Sequence, residues 1–291
     1  MILIIYPKSM NNFVIFILTH GRANNIFTIK SLRKHGYTGK IILVCDNEDK
    51  TIDEYLKKYP DVEIFDKKAI AKTFDEADNF EDRRAIIYAR NACFEIAKKL
   101  GYKYFIEMDD DYTQFEYRLY TSEKQKPKLI FNLDSVFLLL LDFYEKSKFD
   151  TISMAQGGDF IGGKNNQMAK KPTIYRKCMN SFICSTERVF QFVGRINEDV
   201  NTYTNSASKG LLMGTIPMVS LTQKTTQKNK GGMTDLYLDS GTYVKSFYTV
   251  IFSPSCCTIK PMGDKHMRLH HSIKWNSAVP KIISEKHKKI K

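Results

Sequence analysis

Two hydrophobic periodicities alternate along the first part of the chain. The apolar run in "NFVIFILTHGRANN", from Asn12, gives way to small and polar residues. "IFTIKSLRKHG" then places apolar residues at helical spacing, with Gly36 as a stop. This predicts a strand, a loop and a helix. "KIILVCDNED" repeats the strand with an acidic end, "TIDEYLKKYP" reads as a helix closed by Pro60, and "VEIFDK" as a third strand. In "DRRAIIYARNACFEIAKKLGY", Ala85, Ile86, Ala89, Ala92, Cys93, Ile96, Ala97 and Leu100 share one helical face and Gly101 ends the run. "KYFIEM" is a fourth strand, running straight into Asp109, Asp110 and Asp111. Such alternation predicts an α/β fold, a mostly parallel sheet flanked by helices. Ligands in these sheets gather at the carboxyl ends of strands, where strand order reverses. The acidic triplet, Asp46, and Thr19, His20 and Arg22 all fall at such ends.

Beyond the triplet the rhythm changes. A Lys-rich insertion, "SEKQKPK", precedes a helix around "LDSVFLLLLDFYEKS" and a strand "DTISMAQ" that enters the glycine-rich "GGDFIGGKNNQ". Then come an apolar helical pattern leading to "GRINEDVNTY", the apolar "LLMGTIPMVSL", the polar "TQKTTQKNKGGM" and a tail containing "RLHHSIKW". No internal repeat or linker interrupts this order. The expected organisation is one domain over residues 12–275, with a donor-binding half at about 12–115, an acceptor-binding half at about 116–275, and a basic tail at 276–291.

Charge adds a partner class. The 291 residues carry a formal net charge of +13, which suits a polyanion. Of the basic residues 35 are Lys and 10 are Arg, a balance that AT-rich coding alone also produces. Six cysteines without CxxC or zinc-ligand spacing, and no secretory leader, point to a reducing cytoplasm. "LIFNLDSVFLLLLDFYEKS" is interrupted by Asp134 and Asp142, so no membrane span is expected.

Two carboxylates one residue apart at a strand exit can converge on a hard divalent cation, which in turn bridges diphosphate oxygens. A solvated acidic turn has the same composition, so context decides. "ARNACFEIAKKLGYKYFIEMDDD" resembles the "ARNxGxxxAxGxYxxFxDxD" segment of GT-A glycosyltransferases, particularly the inverting family two. It departs from that pattern at Ala92 and Cys93, and with Met108 before the acids. "GRINEDVNTY" resembles the later "xED" segment of the same fold. With "FILTHGRANN", "RRAIIYARN" and "KNKGGMTDLY", the chain from about Asn12 to Trp275 resembles most closely the TET-associated glycosyltransferases, encoded largely by bacteriophages and acting on oxidised or hydroxymethylated DNA bases.

The resemblance implies roles. Thr19, His20 and Arg22 would form the loop under the nucleotide base, and Asp46 would accept from uracil or ribose. Arg90 would reach the nucleotide or the acidic loop. Asp109 would contact ribose and metal and Asp111 would hold the metal, Mn²⁺ or Mg²⁺, with Asp110 pointing away. His270 or His271 would supply a late histidine to the metal or diphosphate; in a strand they point to opposite sides, so at most one serves. Asp199 would be the general base, its basicity raised by burial beside Glu198. Apart from the resemblance, the polar loop with Lys224, Lys228 and Lys230 before Gly231 and Gly232 reads either as a flap or DNA-phosphate contact, or as a solvated loop.

The expected activity is metal-dependent transfer from a UDP-sugar to hydroxymethylated pyrimidines in DNA. A GT-A enzyme acting on a glycan, lipid or protein is the alternative within the fold. A non-catalytic nucleic-acid-binding protein would explain the charge but not the ordered ARN, DxD and ED elements, and no further carboxylate and lysine constellation favours a metal nuclease.

Overall fold

The computed structural model describes residues 10–78, 80–120, 125–160, 166, 170–179, 181–224, 244–263 and 267–281. The first half runs β1 (Phe13–Leu18), α1 (Phe27–Lys34), β2 (Ile41–Asp46), α2 (Ile52–Lys58), β3 (Val62–Phe65), α3 (Lys67–Ala71), α4 (Ile87–Lys99) and β4 (Tyr104–Asp109). The antiparallel hairpin β5 (Tyr112–Tyr120) and β6 (Gln125–Leu129) follows. Then come α5 (Leu133–Lys146), β7 (Thr151–Ala155), β8 (Ser181–Ser185), α6 (Glu198–Ser208) and β9 (Met213–Gln223). A helix α7 occupies 244–252, and the hairpin β10 (Cys257–Met262) and β11 (Arg268–Ile273) leads to the short α8 (Trp275–Ala278).

Nine strands form one sheet in the order β3-β2-β1-β4-β8-β7-β9-β5-β6. The pairings β3 to β2, β2 to β1 and β1 to β4 are parallel. Only β8 and β5 oppose the rest, so seven strands share one direction, as the alternation predicts. Burial on both faces follows from the sequence of β1, whose six residues are all apolar and all buried. Phe13, Ile15 and Ile17 pack with α1 and α5 on one face; Val14, Phe16 and Leu18 pack with α4 on the other.

Three expectations need correction. The helix expected from Asp82 begins at Ile87, and it buries Arg90 and Asn91 alongside Ala92, Cys93 and Ala97, while Ala85, Ile86, Ala89 and Leu100 are only partly buried. The helix is wedged between the sheet and the segment at Phe190 and Phe192, so more than one apolar stripe is covered. Second, no helix lies between β8 and Glu198. Residues 186–197 are irregular after β8, and their aromatic residues Phe190 and Phe192 pack edge-on with Phe94 and Phe182. Third, the acidic triplet is the tight turn from β4 into the long strand β5, which the Lys-rich insertion extends as β6. Lys228, Lys230 and residues 282–291 lie outside the described residues. Among the described residues no helix is long and apolar enough to cross a membrane.

Candidate active site

The parallel register aligns Leu18 of β1 with Asp109 of β4, so the loop after β1 and the acidic turn after β4 open on the same edge of the sheet. Chain order reverses here, with β2 and β3 on one side of β1 and β4 on the other. Helix α1 clasps the turn from above. The Thr28 hydroxyl donates to the Asp109 carbonyl at 2.6 Å and accepts from the Tyr112 N–H at 2.9 Å. The Thr28 N–H donates to the Asp110 carbonyl at 3.1 Å, and the Ser31 hydroxyl to the Tyr112 carbonyl at 2.9 Å.

Side chains alternate across the turn as they do along β4. Asp110 faces the β1 loop, where it accepts from the Thr19 hydroxyl and from Arg22, each at 2.8 Å. Asp109 lies on the α4 face with Glu107. Between them and α6 stands Arg90, 1% exposed, with its guanidinium 3.1 Å from Asp109, 3.5 Å from Glu107 and 3.3 Å from Glu198. Phe182 and Phe192 cover the guanidinium plane. Arg90 therefore reaches the acidic loop from beneath and joins it to the Glu198–Asp199 segment. Glu107 was the missed signal: a carboxylate in a strand buried on both faces requires a buried cation.

Asp111 accepts from the Gln223 side-chain amide at 3.3 Å through Oδ2, while its buried Oδ1 has no hydrogen-bond partner. Burial and crowding push these acids up. Asp109 rises to about 7, through burial and through Asp111, Glu198 and Asp110, against the pull of Arg90. Asp111 rises to about 6 through burial and Asp110. An orphaned carboxylate oxygen beside a second strained acid fits a divalent cation. Two protein carboxylates are also the usual complement for Mg²⁺ held together with substrate phosphates.

The loop under the expected base is held by side-chain pairs. His20 Nδ1 meets Asp46 Oδ2 at 2.8 Å, Lys67 stands 3.2 Å from the same oxygen, and Asp46 Oδ1 accepts the Glu48 N–H. Burial raises Asp46, but its His20 and Lys67 partners outweigh that and lower it. Both Asp46 oxygens are thus engaged inside the protein, and His20 is the more exposed of the pair.

At the start of α6 the neighbouring acids separate. Burial and Asp199 raise Glu198, with Arg90 opposing. Burial also acts on Asp199, but the ion pair with Lys177 and the charge of Lys245 lower it. The expectation that burial would make Asp199 more basic is corrected by Lys177. Asn197 precedes them in the left-handed region at φ +66°, a conformation Asn tolerates. Its amide donates to Thr249 at 2.7 Å and to His271 Nδ1 at 3.2 Å.

His270 and His271 do not diverge as a regular strand predicts. Their rings lie 4.3 Å apart, and both border the cavity that Asn197 and Lys177 also line. Burial and His270 push His271 down to about 3, and burial with Arg268 lowers His270, so both are neutral at pH 7. Among the described residues no three His, Cys, Asp or Glu side chains converge as a metal site. The structure brings Asp109 and Asp111 to one turn but does not add either histidine to them. Arg176, Lys177 and Lys245, which line the cavity around the histidines, were missed; neither "YRKC" nor "YVKSF" carries a spacing signature that would single them out.

Several solved structures resemble the fold. The mannosyltransferase PcManGT from Pyrobaculum calidifontis, in complex with GDP-Man and Mn²⁺, is 14% identical with a TM-score of 0.48, covering 77% of this chain and 59% of its own. Glucosyl-3-phosphoglycerate synthase from Mycobacterium tuberculosis, in complex with Mn²⁺, UDP and phosphoglyceric acid, is 8% identical with a TM-score of 0.45 over 90% and 87%. S. aureus TarS 1-349 is 11% identical with a TM-score of 0.44 over 82% and 65%. The chain therefore spans less than two thirds of the mannosyltransferase and of TarS. No curated protein matches the sequence. The model of the TET-Associated Glycosyltransferase family matches residues 13–232, about three quarters of the chain, and the chain belongs to that family.

Proposed function

We propose that the protein transfers a sugar from a UDP-sugar to a hydroxymethylated pyrimidine in DNA, with residues 12–275 acting as one catalytic unit. The observation that carries this reading is the Arg90 guanidinium, which ties Asp109 at the β4 exit to Glu198 at the start of α6. Through it the donor-side carboxylates and the acceptor-side carboxylates share one edge of the sheet.

Asp109 and Asp111 would hold Mn²⁺ or Mg²⁺. That ion would neutralise charge growing on the diphosphate as the glycosidic bond breaks. Thr19, His20, Arg22 and Asp46 would shape the floor for the nucleoside, with Asp110 keeping Arg22 and Thr19 in place. Asp199, ionised because of Lys177, would accept the proton of the acceptor hydroxyl as the new bond forms. A target base inside a duplex must leave the stack to reach it. The basic charge then serves the phosphates.

The test is mass spectrometry of nucleosides after incubating hydroxymethylcytosine or hydroxymethyluracil DNA with the protein, Mn²⁺ or Mg²⁺, and a panel of UDP-sugars. A hexose-sized mass increase on the modified base is expected. Release of UDP with no glycosylated nucleoside would move the acceptor to another class of molecule.

A further inference from the structure

A cavity of about 260 Å³ lies beside the start of α6, separate from the Asp109–Asp111 turn. Its wall includes Arg176, Lys177, Lys245, His270, His271 and Trp275, with no carboxylate among the described lining residues. Lys177 is anchored from behind by Asp199, and Arg176 stands beside Asp159. The pairing fixes the direction of Lys177 while leaving further N–H groups for a ligand. Lys245 is lowered by burial and by the charges of Lys177 and Arg268, while Asp199 and Glu198 oppose the shift. Lys177 and Lys245 repel each other along this wall, and an anion between them would relieve that repulsion. The two imidazoles are neutral and the N-terminal turn of the eleven-residue α6 borders the space through Asn197 and Val200.

Size limits the occupant. Pockets that enclose a drug-sized ligand run from about 300 to 1,000 Å³, so this cavity takes a fragment and not a whole nucleotide-sugar. Lys177 connects it directly to Asp199, the acceptor-side carboxylate. We propose that the cavity binds a backbone phosphate of the acceptor strand next to the nucleotide being modified, held by Arg176, Lys245 and the imidazoles. The inference rests on the reading of the acceptor as a nucleic acid. It makes the polymer, and not the modified base alone, the recognised substrate.

The same phosphate chemistry could come from the donor diphosphate, and the experiment separates the two sources. Lys245→Gln and Arg176→Gln are compared with wild type for single-stranded oligonucleotide affinity by fluorescence anisotropy across a salt series. KM is then measured separately for UDP-sugar, for a hydroxymethyl nucleoside and for a hydroxymethylated oligonucleotide. Each variant should raise the oligonucleotide Kd and KM at least fivefold and flatten the slope of log affinity against log salt by about 0.7, while donor KM moves less than twofold. Arg176→Lys should recover most of the loss, which a folding defect would not. An increase in donor KM with equal losses on nucleoside and oligonucleotide would give the cavity to the diphosphate and overturn the proposal. So would unchanged oligonucleotide affinity. Binding of an unmodified oligonucleotide reads the cavity even if no DNA base accepts sugar, so failure of the acceptor reading is distinguishable from failure of the pocket.

Discussion

Two runs of adjacent acids are joined by Arg90, Asp109–Asp111 and Glu198–Asp199, and folding treats them differently. At the β4 exit burial wins: Asp109 and Asp111 rise to about 7 and about 6 although Arg90 and Arg22 stand nearby. At the start of α6 the two acids part, Glu198 upward on the Arg90 side and Asp199 downward on the Lys177 side. Sequence adjacency therefore says little about protonation. Burial and the cation each carboxylate meets across the fold together set its charge.

The largest effect that can break this contrast is at α6. Asp199→Asn should lower transfer by about 10² to 10⁴ while leaving UDP-sugar binding near wild type, since a base acts on the acceptor. Glu198→Gln should cost less, about tenfold, because Glu198 is committed to Arg90. Single-turnover rates with calorimetric donor binding provide the check. A greater loss in Glu198→Gln would exchange the two roles.

How legible this was differs between the halves of the molecule. β1 and β2 are apolar runs closed by polar turns, and β4 is interrupted only by Glu107, so their ends, and with them Thr19, Asp46 and Asp109, are legible in the sequence. In the second half the signals are tertiary. "STERVFQFVGRI" has the apolar content of a helix, yet Phe190 and Phe192 are held out as irregular chain packed around α4 and Arg90. In Tyr112–Tyr120, Phe115, Tyr117 and Leu119 alternate with Gln114, Glu116 and Arg118, but the pairing with β9 and β6 joins segments distant in the chain or across the Lys-rich stretch. Lys177, which sets the state of Asp199, lies 22 residues away from it in the chain, and no local pattern reports a pair at that separation.

At the β4 exit, Asp111→Asn keeps the side-chain shape and removes a charge. Turnover should fall on the order of a hundredfold or more, and circular dichroism should be unchanged. Wild-type turnover in the variant, or in the wild type with excess EDTA, would remove the metal from Asp111.

A smaller effect follows from protonation at the same turn. Both carboxyls hold their protons more tightly folded than unfolded, so the metal-free protein should lose stability as pH rises from about 4 toward 7. A cation must displace those protons, so Mn²⁺ affinity should strengthen over the same range, about tenfold or more between pH 5.5 and 7.5. Calorimetric titrations at the two pH values and melting with and without Mn²⁺ measure both trends. Affinity independent of pH would mean that these acids are already ionised, and the contrast with Asp199 would vanish.

The smallest expected effect isolates the cation that separates the two α6 acids. Lys177→Gln leaves Asp199 and its bond from the Val200 N–H in place but removes the charge that lowers it. Burial then acts with less opposition, and the Asp199 carboxyl rises toward Glu198. A base must be ionised to accept a proton, so the acidic limb of the rate profile should move upward. A shift of one unit costs about tenfold in rate on that limb and little on the plateau. The measurement is kcat against pH at saturating oligonucleotide, which keeps any weakening of acceptor binding at the Lys177 side of the cavity out of the result. An acidic limb that does not move would mean that Lys177 orients Asp199 without setting its charge, and the difference between the two acidic groups would then lie in geometry alone.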